Sequence, residues 1–363
     1  MKLTQARLWK YHLPLQKPVL LKGGPLAARE GLILQITDEQ GRTAWGEAAP
    51  LPGFSREALT QAQIELQNQL PELLSGEQND EPLEVQFETI FNDNPIFSPS
   101  VCFALQAALL SLRAAQNKQS LAQALDERFQ TKIRINGFIQ GARESALEQA
   151  RKLLEYGYTS FKMKVGTDSL DTDIEKILAV SDILRGKALL RLDANQAWEL
   201  NEALAFGRAV GLDVIEYIEE PLKDINLIPE FYNQTLLPSA LDESLRNMDF
   251  KKIRFIEGVD VLVLKPTLLG GITTVQHLTS QAREAGLRVV ISSSFESAVG
   301  LRVLAHIAAA FSHFTPTGLD TEKVFRDNVL PGGLTISRGS AELADAPLED
   351  IHLNTAVLQP VST

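Results

Sequence analysis

The chain has 363 residues, 44% of them hydrophobic, and a formal net charge of -11 at pH 7. That length and apolar share allow two domains or one large barrel with an appendage. The acidic balance disfavours a nucleic-acid surface, which needs clustered Lys and Arg, and the single cysteine, Cys102, excludes an intramolecular disulfide.

The opening stretch, MKLTQARLWKYHLPL, is broken by charges before an apolar signal segment forms. No apolar run approaches the roughly 18 residues of a membrane span. A cytoplasmic protein with no membrane or nucleic-acid partner is therefore the expectation. Residues 3–11, 32–36 and 43–46 alternate like strands. Gly and Pro punctuate the chain at Lys22-Gly23-Gly24-Pro25 and Pro50-Leu51-Pro52-Gly53. Helical spacing follows over 56–73 and 100–115, with Cys102 a small buried hydrophobe in the second of these. Strands followed by helices predict a small α+β domain over residues 1–128.

From about 129 to 324 the rhythm changes. Short β-rich runs at 133–138, 160–165, 189–193, 215–219, 239–242, 261–265 and 288–292 alternate with amphipathic segments such as 144–156, 173–184 and 201–207. This is the period of a parallel βα repeat, and seven or eight such units close naturally into a TIM-like (β/α)7β barrel. An open doubly wound sheet is the rival, but no GxGxxG follows the first strand. Residues 325–363 are too short to stand alone and are expected to pack back on the first zone, completing it.

Most of these strands end in a charged or polar residue. They are Lys162-Met163-Lys164, Asp193 with Asn195 beyond it, Glu219-Glu220-Pro221, Asp242-Glu243-Ser244, Lys265-Pro266 and Ser292-Ser293-Ser294. In a parallel barrel all strand C-termini share one rim, where barrel enzymes place their chemistry. Strand alternation turns Lys162 and Lys164 the same way, inward if Phe161 and Met163 pack outward. Acids then occupy three adjacent strands, and lysines flank them on either side. Like charges so close repel, and a hard divalent cation, magnesium, removes the conflict where all ligands are oxygens. The implied substrate is a small carboxylate. Loss of a proton from its neighbouring carbon would place charge where the cation and a lysine can meet it. A partly desolvated lysine near other cations can be the base.

Singly, these features are ordinary. KxK pairs decorate surfaces, and an Asp at a strand end is usually a helix N-cap. Five such residues on five successive strands, acids in the middle and amines on both sides, carry the weight. Spacing leaves open Glu219 against Glu220 and Asp242 against Glu243. The five histidines form no ligand spacing, which argues against a zinc hydrolase. Ser292–Ser294 have no nearby base, which suits substrate holding better than nucleophilic attack. Gly270-Gly271 reads as a turn into a helix whose N-terminus could take an anion. A non-catalytic barrel binding a metal or anion is a further alternative, but no lysine or carboxylate of the set is missing.

At these residues the sequence resembles the enolase superfamily, in its muconate-lactonizing-like branch. The carriers are Gly46-Glu47-Ala48-Ala49-Pro50, SFKMKVG, RLDANQAW, YIEEPL, ALDES and LVLKPTLLGG, spread over nearly the whole chain. The resemblance implies a barrel with an α+β capping domain. It also implies Asp193, Glu219 and Asp242 as magnesium ligands (manganese a possible substitute), Lys164 as base and then acid, and Lys265 as cationic partner. Lys162 would orient Lys164 or the carboxylate. Arg191, Asn195 and Glu243 would stand behind the ligands, and Ser292, Ser293 and Ser294 would help hold the substrate. RLDANQAW, LKPTLLGG, ISSSFESAVGL and GLDT point to a lyase that dehydrates a cyclohexadiene carboxylate to an aromatic acid, under loops near Lys22–Gly24 and Pro52–Phe54. An N-acylamino-acid racemase or a dipeptide epimerase on the same scaffold is the alternative. The epimerase is expected to carry Asp-x-Asp on the last strand, where this chain reads Thr317-Gly318-Leu319-Asp320-Thr321.

Overall fold

The computed structural model describes residues 2–21, 24–75, 97–248, 256–313, 315–344, 348 and 352–362. Strands β1 (Leu3–Leu21), β2 (Gly24–Asp38) and β3 (Thr43–Ala48) make an antiparallel meander. Alternation along β2 gives the sheet two apolar faces. Leu32, Leu34 and Ile36 pack under helices α1 (Leu59–Ser75) and α2 (Pro99–Gln116). Ile33 turns the other way and joins Tyr11, Leu13, Leu15 and Trp45. Gly46 is required by proximity, because a Cβ there would overlap the main chain of Ala104 in α2. Gly46→Ala is therefore expected to cost about 3 kcal/mol, at the upper end for overpacking because backbone cannot turn aside. A melting temperature equal to the parent's would contradict this.

Next come α3 (Leu121–Leu125), β4 (Lys132–Arg134) and β5 (Gly137–Ile139). The alternation that follows is α4 (Arg143–Glu155), β6 (Ser160–Lys164), α5 (Leu170–Leu184), β7 (Leu189–Asp193), α6 (Leu200–Val210), β8 (Ile215–Glu219), α7 (Ile228–Thr235) and β9 (Ser239–Leu241). It continues through β10 (Val259–Leu264), α8 (Pro266–Leu269), α9 (Ile272–Glu284), β11 (Arg288–Ile291) and α10 (Ala298–Phe311). Strands β5 to β11 form one seven-stranded parallel sheet in sequence order. Its outer face packs Phe161, Met163, Leu190, Leu192, Leu262 and Leu264 against the helices. The inner face holds a small separate cluster of Tyr217, Ala240, Val261, Val263 and Val290.

The sheet is curled. The Gly318 amide donates to Ile291 O (2.9 Å) of β11, and the Thr317 amide donates to Arg134 O (2.8 Å) of β4, three residues ahead of the opposite edge strand β5. The expected first strand, 133–138, is two strands. Lys132–Arg134 pairs antiparallel with β13 (Ser340–Glu342), itself paired with β12 (Ile336–Ser337), and only Gly137–Ile139 joins β6. The tail thus meets both earlier zones, since β14 (Leu358–Pro360) pairs with β1.

Two helix ends of the second zone are capped from the first. Glu47, at the end of β3, accepts from the amides of Ser297 and Gly300 (both 2.8 Å) and from the Ser297 hydroxyl at the start of α10. Gln106 of α2 accepts from the amides of Ile272 and Thr273 at the start of α9. First-turn amides have no partner within their own helix, so each side chain supplies what the helix cannot. The anion site imagined after Gly270-Gly271 is thus filled by Gln106.

Candidate active site

The parallel register brings the polar strand ends into one row. Lys164 lies opposite Asp193, and Asp193 opposite Glu219. Because Phe161 and Met163 are buried under the helices, Lys162 and Lys164 face the interior of the curl. The Lys162 amine is 2.9 Å from Asp193 and 2.7 Å from Glu219. Across the row, the Lys265 amine pairs with Asp242. Lys164 is exposed to solvent in the mouth of the sheet and makes no hydrogen bond or ion pair among the described residues.

The backbone separates the paired acids that spacing left open. Glu219 ends β8 facing Lys162. Glu220 follows with φ +46° and turns into the loop wall. There it accepts from the amides of Asp242 (2.8 Å) and Ser244 (2.7 Å), from the Ser244 hydroxyl and from Gln196. Glu220 thus fixes the segment that presents Asp242. Sequence reasoning gave this residue no such role, and the left-handed turn behind it has no signature in the letters. Glu243 accepts from Asn195 Nδ2 (2.8 Å). Gly166, just past Lys164, donates its amide to Asp173 of α5, which is paired with buried Lys176.

The electrostatics show a shortage of positive charge. Burial, then the Asp193 and Asp242 charges, push the Glu219 carboxyl well above the usual range. Burial, then Asp242 and Asp193, push Glu243 to about 7. Burial works against the charge on Lys162, but Asp193 and Glu219 hold its pKa well above the ordinary value. Asp242 is held low despite its burial, first by Lys265 and then by Lys162. Four carboxylates thus crowd two bonded amines. Among the described residues no three His, Cys, Asp or Glu side chains stand grouped to hold an ion as they are. The donor set itself, all carboxylate and short of positive charge, fits a hard divalent cation.

Other expected contributors lie elsewhere. Arg191 sits one layer below Asp193, donating to Glu216 (2.7 Å) and to Pro316 O (2.6 Å) and stacking on Tyr217 at 5.2 Å. It makes no hydrogen bond or ion pair with the row of acids. The hydroxyl of Ser293 and the amide of Ser294 both donate to Glu296 (2.6 Å), the buried Ser294 hydroxyl has no hydrogen-bond partner among the described residues, and Ser292 abuts Gly318. Asp320, the only acid of the 317–321 segment, is taken by Lys323 and Tyr158. Phe54 of the Pro52–Phe54 turn lies under the Arg246 guanidinium at 5.4 Å, and its carbonyl accepts from Arg246 (2.8 Å), which follows Asp242 by four residues. Lys22 and Gly23 lie outside the described residues. Cys102 is half-buried, and burial pushes its thiol up to about 12, so it is inert.

A family model for an enolase C-terminal domain-like unit matches residues 145–347, and one for the MenC N-terminal domain matches residues 3–112. The chain is similar to the o-succinylbenzoate synthase of Pectobacterium atrosepticum, 33% identical over 90% of this chain and 93% of that one. In fold it is similar to an N-succinyl Arg/Lys racemase from Bacillus cereus (TM-score 0.86, 24% identity, all of both chains covered). It is also similar in fold to a dipeptide epimerase from Enterococcus faecalis in complex with Mg and a dipeptide (TM-score 0.84, 22% identity, 96% of this chain and 98% of that one).

Proposed function

The chain belongs to the enolase superfamily, and on that footing we propose that it is an o-succinylbenzoate synthase of menaquinone biosynthesis. It would remove water from 2-succinyl-6-hydroxy-2,4-cyclohexadiene-1-carboxylate to give 2-succinylbenzoate. The observation that carries this is the row of acids with a free lysine on one side and a bonded lysine on the other. The curated relatives and the N-terminal family model favour this reaction over the racemase and epimerase alternatives, which rest on fold likeness alone.

Asp193, Glu219 and Asp242 would hold a divalent cation, magnesium or in its place manganese, which when bound supplies positive charge against the substrate carboxylate. Lys164, unpaired and open to the mouth, takes the proton from the carbon beside the ring carboxylate. Lys265, on the other flank, faces the negative charge that builds as the C–H bond breaks. Lys164 then returns the proton to the departing hydroxyl, the C–O bond breaks, and the ring becomes aromatic. Lys162 orients Asp193 and Glu219. Asn195 and Glu243 fix one another, and Ser292–Ser294 border the end of the site where the succinyl arm would lie.

The scaffold for this is read as a (β/α)7β barrel over 129–324, closed through 317–318, with residues 1–128 and 325–363 as the capping unit. The hydrogen bonds of Thr317 to Arg134, just ahead of β5, and of Gly318 to Ile291 of β11 support closure.

The test is dehydration assayed beside racemisation of N-succinylamino acids, with and without chelator. Magnesium-restored dehydration as the faster reaction supports the proposal, and undiminished turnover in excess chelator counts against it. A second expectation concerns Lys265. If it acts by charge alone, Lys265→Arg keeps measurable turnover while Lys265→Ala loses about 100-fold or more, the scale of an electrostatic stabiliser. Equal rates in the two variants would remove that role.

A further inference from the structure

Arg29 is among the largest fully buried side chains, 1% exposed, and among the described residues it has no carboxylate within ion-pair distance. A guanidinium normally meets a carboxylate in a two-point pair, and an unpaired buried charge costs several kcal/mol. Here every partner is a main-chain carbonyl. Arg29 donates to Ala49 O, Pro50 O (2.5 Å) and Glu30 O (3.2 Å) on one side. On the other it donates to Phe295 O (3.1 Å) and Ser294 O (3.4 Å). One cation thus ties the root of the Leu51–Ser55 turn to the end of the serine run.

The second of those segments is strained. Phe295 has φ +61°, a region that costs a side-chain-bearing residue about 1–3 kcal/mol. It is held there from both ends, its amide donating to Ser293 Oγ (2.9 Å) and its carbonyl accepting from Arg29. Glu296 then ties this segment to Thr267, two residues beyond Lys265, whose hydroxyl donates to it at 2.6 Å. Contacts therefore run without a gap from the capping turn, through Arg29 and the serine run, to the segment carrying Lys265.

We propose that Arg29 is a positioning residue that fixes the serine edge of the site against the capping turn, and so governs recognition of the substrate's arm rather than proton transfer. This rests on the reading above, in which Ser292–Ser294 border the succinyl arm. The probes are 2-succinylbenzoate and benzoate, which differ by that arm. Arg29→Lys keeps the charge but offers donors from one point, which cannot span two segments. It should raise KM and the Kd for 2-succinylbenzoate about 10-fold, the equivalent of one lost good hydrogen bond. The Kd for benzoate and kcat should stay within about 3-fold. A general loosening of the fold would move both ligands together, and that outcome, or no change in their ratio, overturns the role. If Arg29→Lys does not fold, Phe295→Val decides. It keeps Arg29, but a β-branched residue does not hold φ +61°, so the turn that meets Arg29 should shift and with it the same ratio, and an unchanged ratio again overturns the proposal. A parent chain that neither dehydrates nor distinguishes the two acids overturns the function proposed above, and this role with it.

Discussion

Lys164→Ala is expected to lower turnover by about 10³-fold or more, within the range for loss of a positioned base, and to leave the melting temperature nearly unchanged. The two halves of this expectation have one cause. Lys164 is exposed and has no hydrogen bond or ion pair among the described residues, so removing it leaves no buried partner unpaired. Its strand is held by Phe161 and Met163 beneath the helices and by its ladder to β7. The decisive measurement is exchange of the substrate's α-proton with solvent deuterium. Exchange near the parent rate would move the base to another residue, and a large fall in melting temperature would mean that Lys164 holds the fold in a way its surroundings do not reveal.

Lys162→Met should behave in the opposite way, because Lys162 bonds Asp193 and Glu219 at once and Glu219 is almost fully buried. Removing one partner of a buried ion pair costs about 3–5 kcal/mol because the other charge is left unpaired. The two acids would then depend on another cation. The variant should melt far below the parent in chelator and recover much of the difference as magnesium is added, by the linkage between binding and stability. The parent, in which Lys162 already meets two of these acids, should respond less. Equal magnesium responses in parent and variant would argue that the ion does not bind where Lys162 now sits. Thermal unfolding with and without chelator reads the result with no substrate present.

Much of this was legible in the letters because strand periodicity is so direct. Residues 189–193 and 215–219 are strands with the predicted bounds. Alternation alone turned the KxK pair inward, since Phe161 and Met163 had to face the helices. What could not be read were features set by backbone turns and contacts between distant segments. Whether Glu219 or Glu220 faces the row depends on a left-handed residue after β8. The resemblance put Arg191 behind the ligands, but although it shares a strand face with Asp193 the one-layer offset sends its guanidinium to Glu216. The split of 133–138 follows from pairing with residues some 200 positions later, which no local pattern encodes. Arg29 lies outside the strand expected at 32–36 and drew no role from the letters, because nothing local says that its partners are the carbonyls of residues 49–50 and 294–295.

The caps that Glu47 and Gln106 place on α10 and α9 bear on how the chain comes to be folded. Both acceptors are synthesised well before the helices that need them, so each helix emerges from the ribosome to find its missing acceptors already made. The reverse order would leave two helices waiting with bare amides. A gene cut between the two zones should therefore give a downstream fragment that aggregates when made alone and becomes soluble when the upstream fragment is co-expressed.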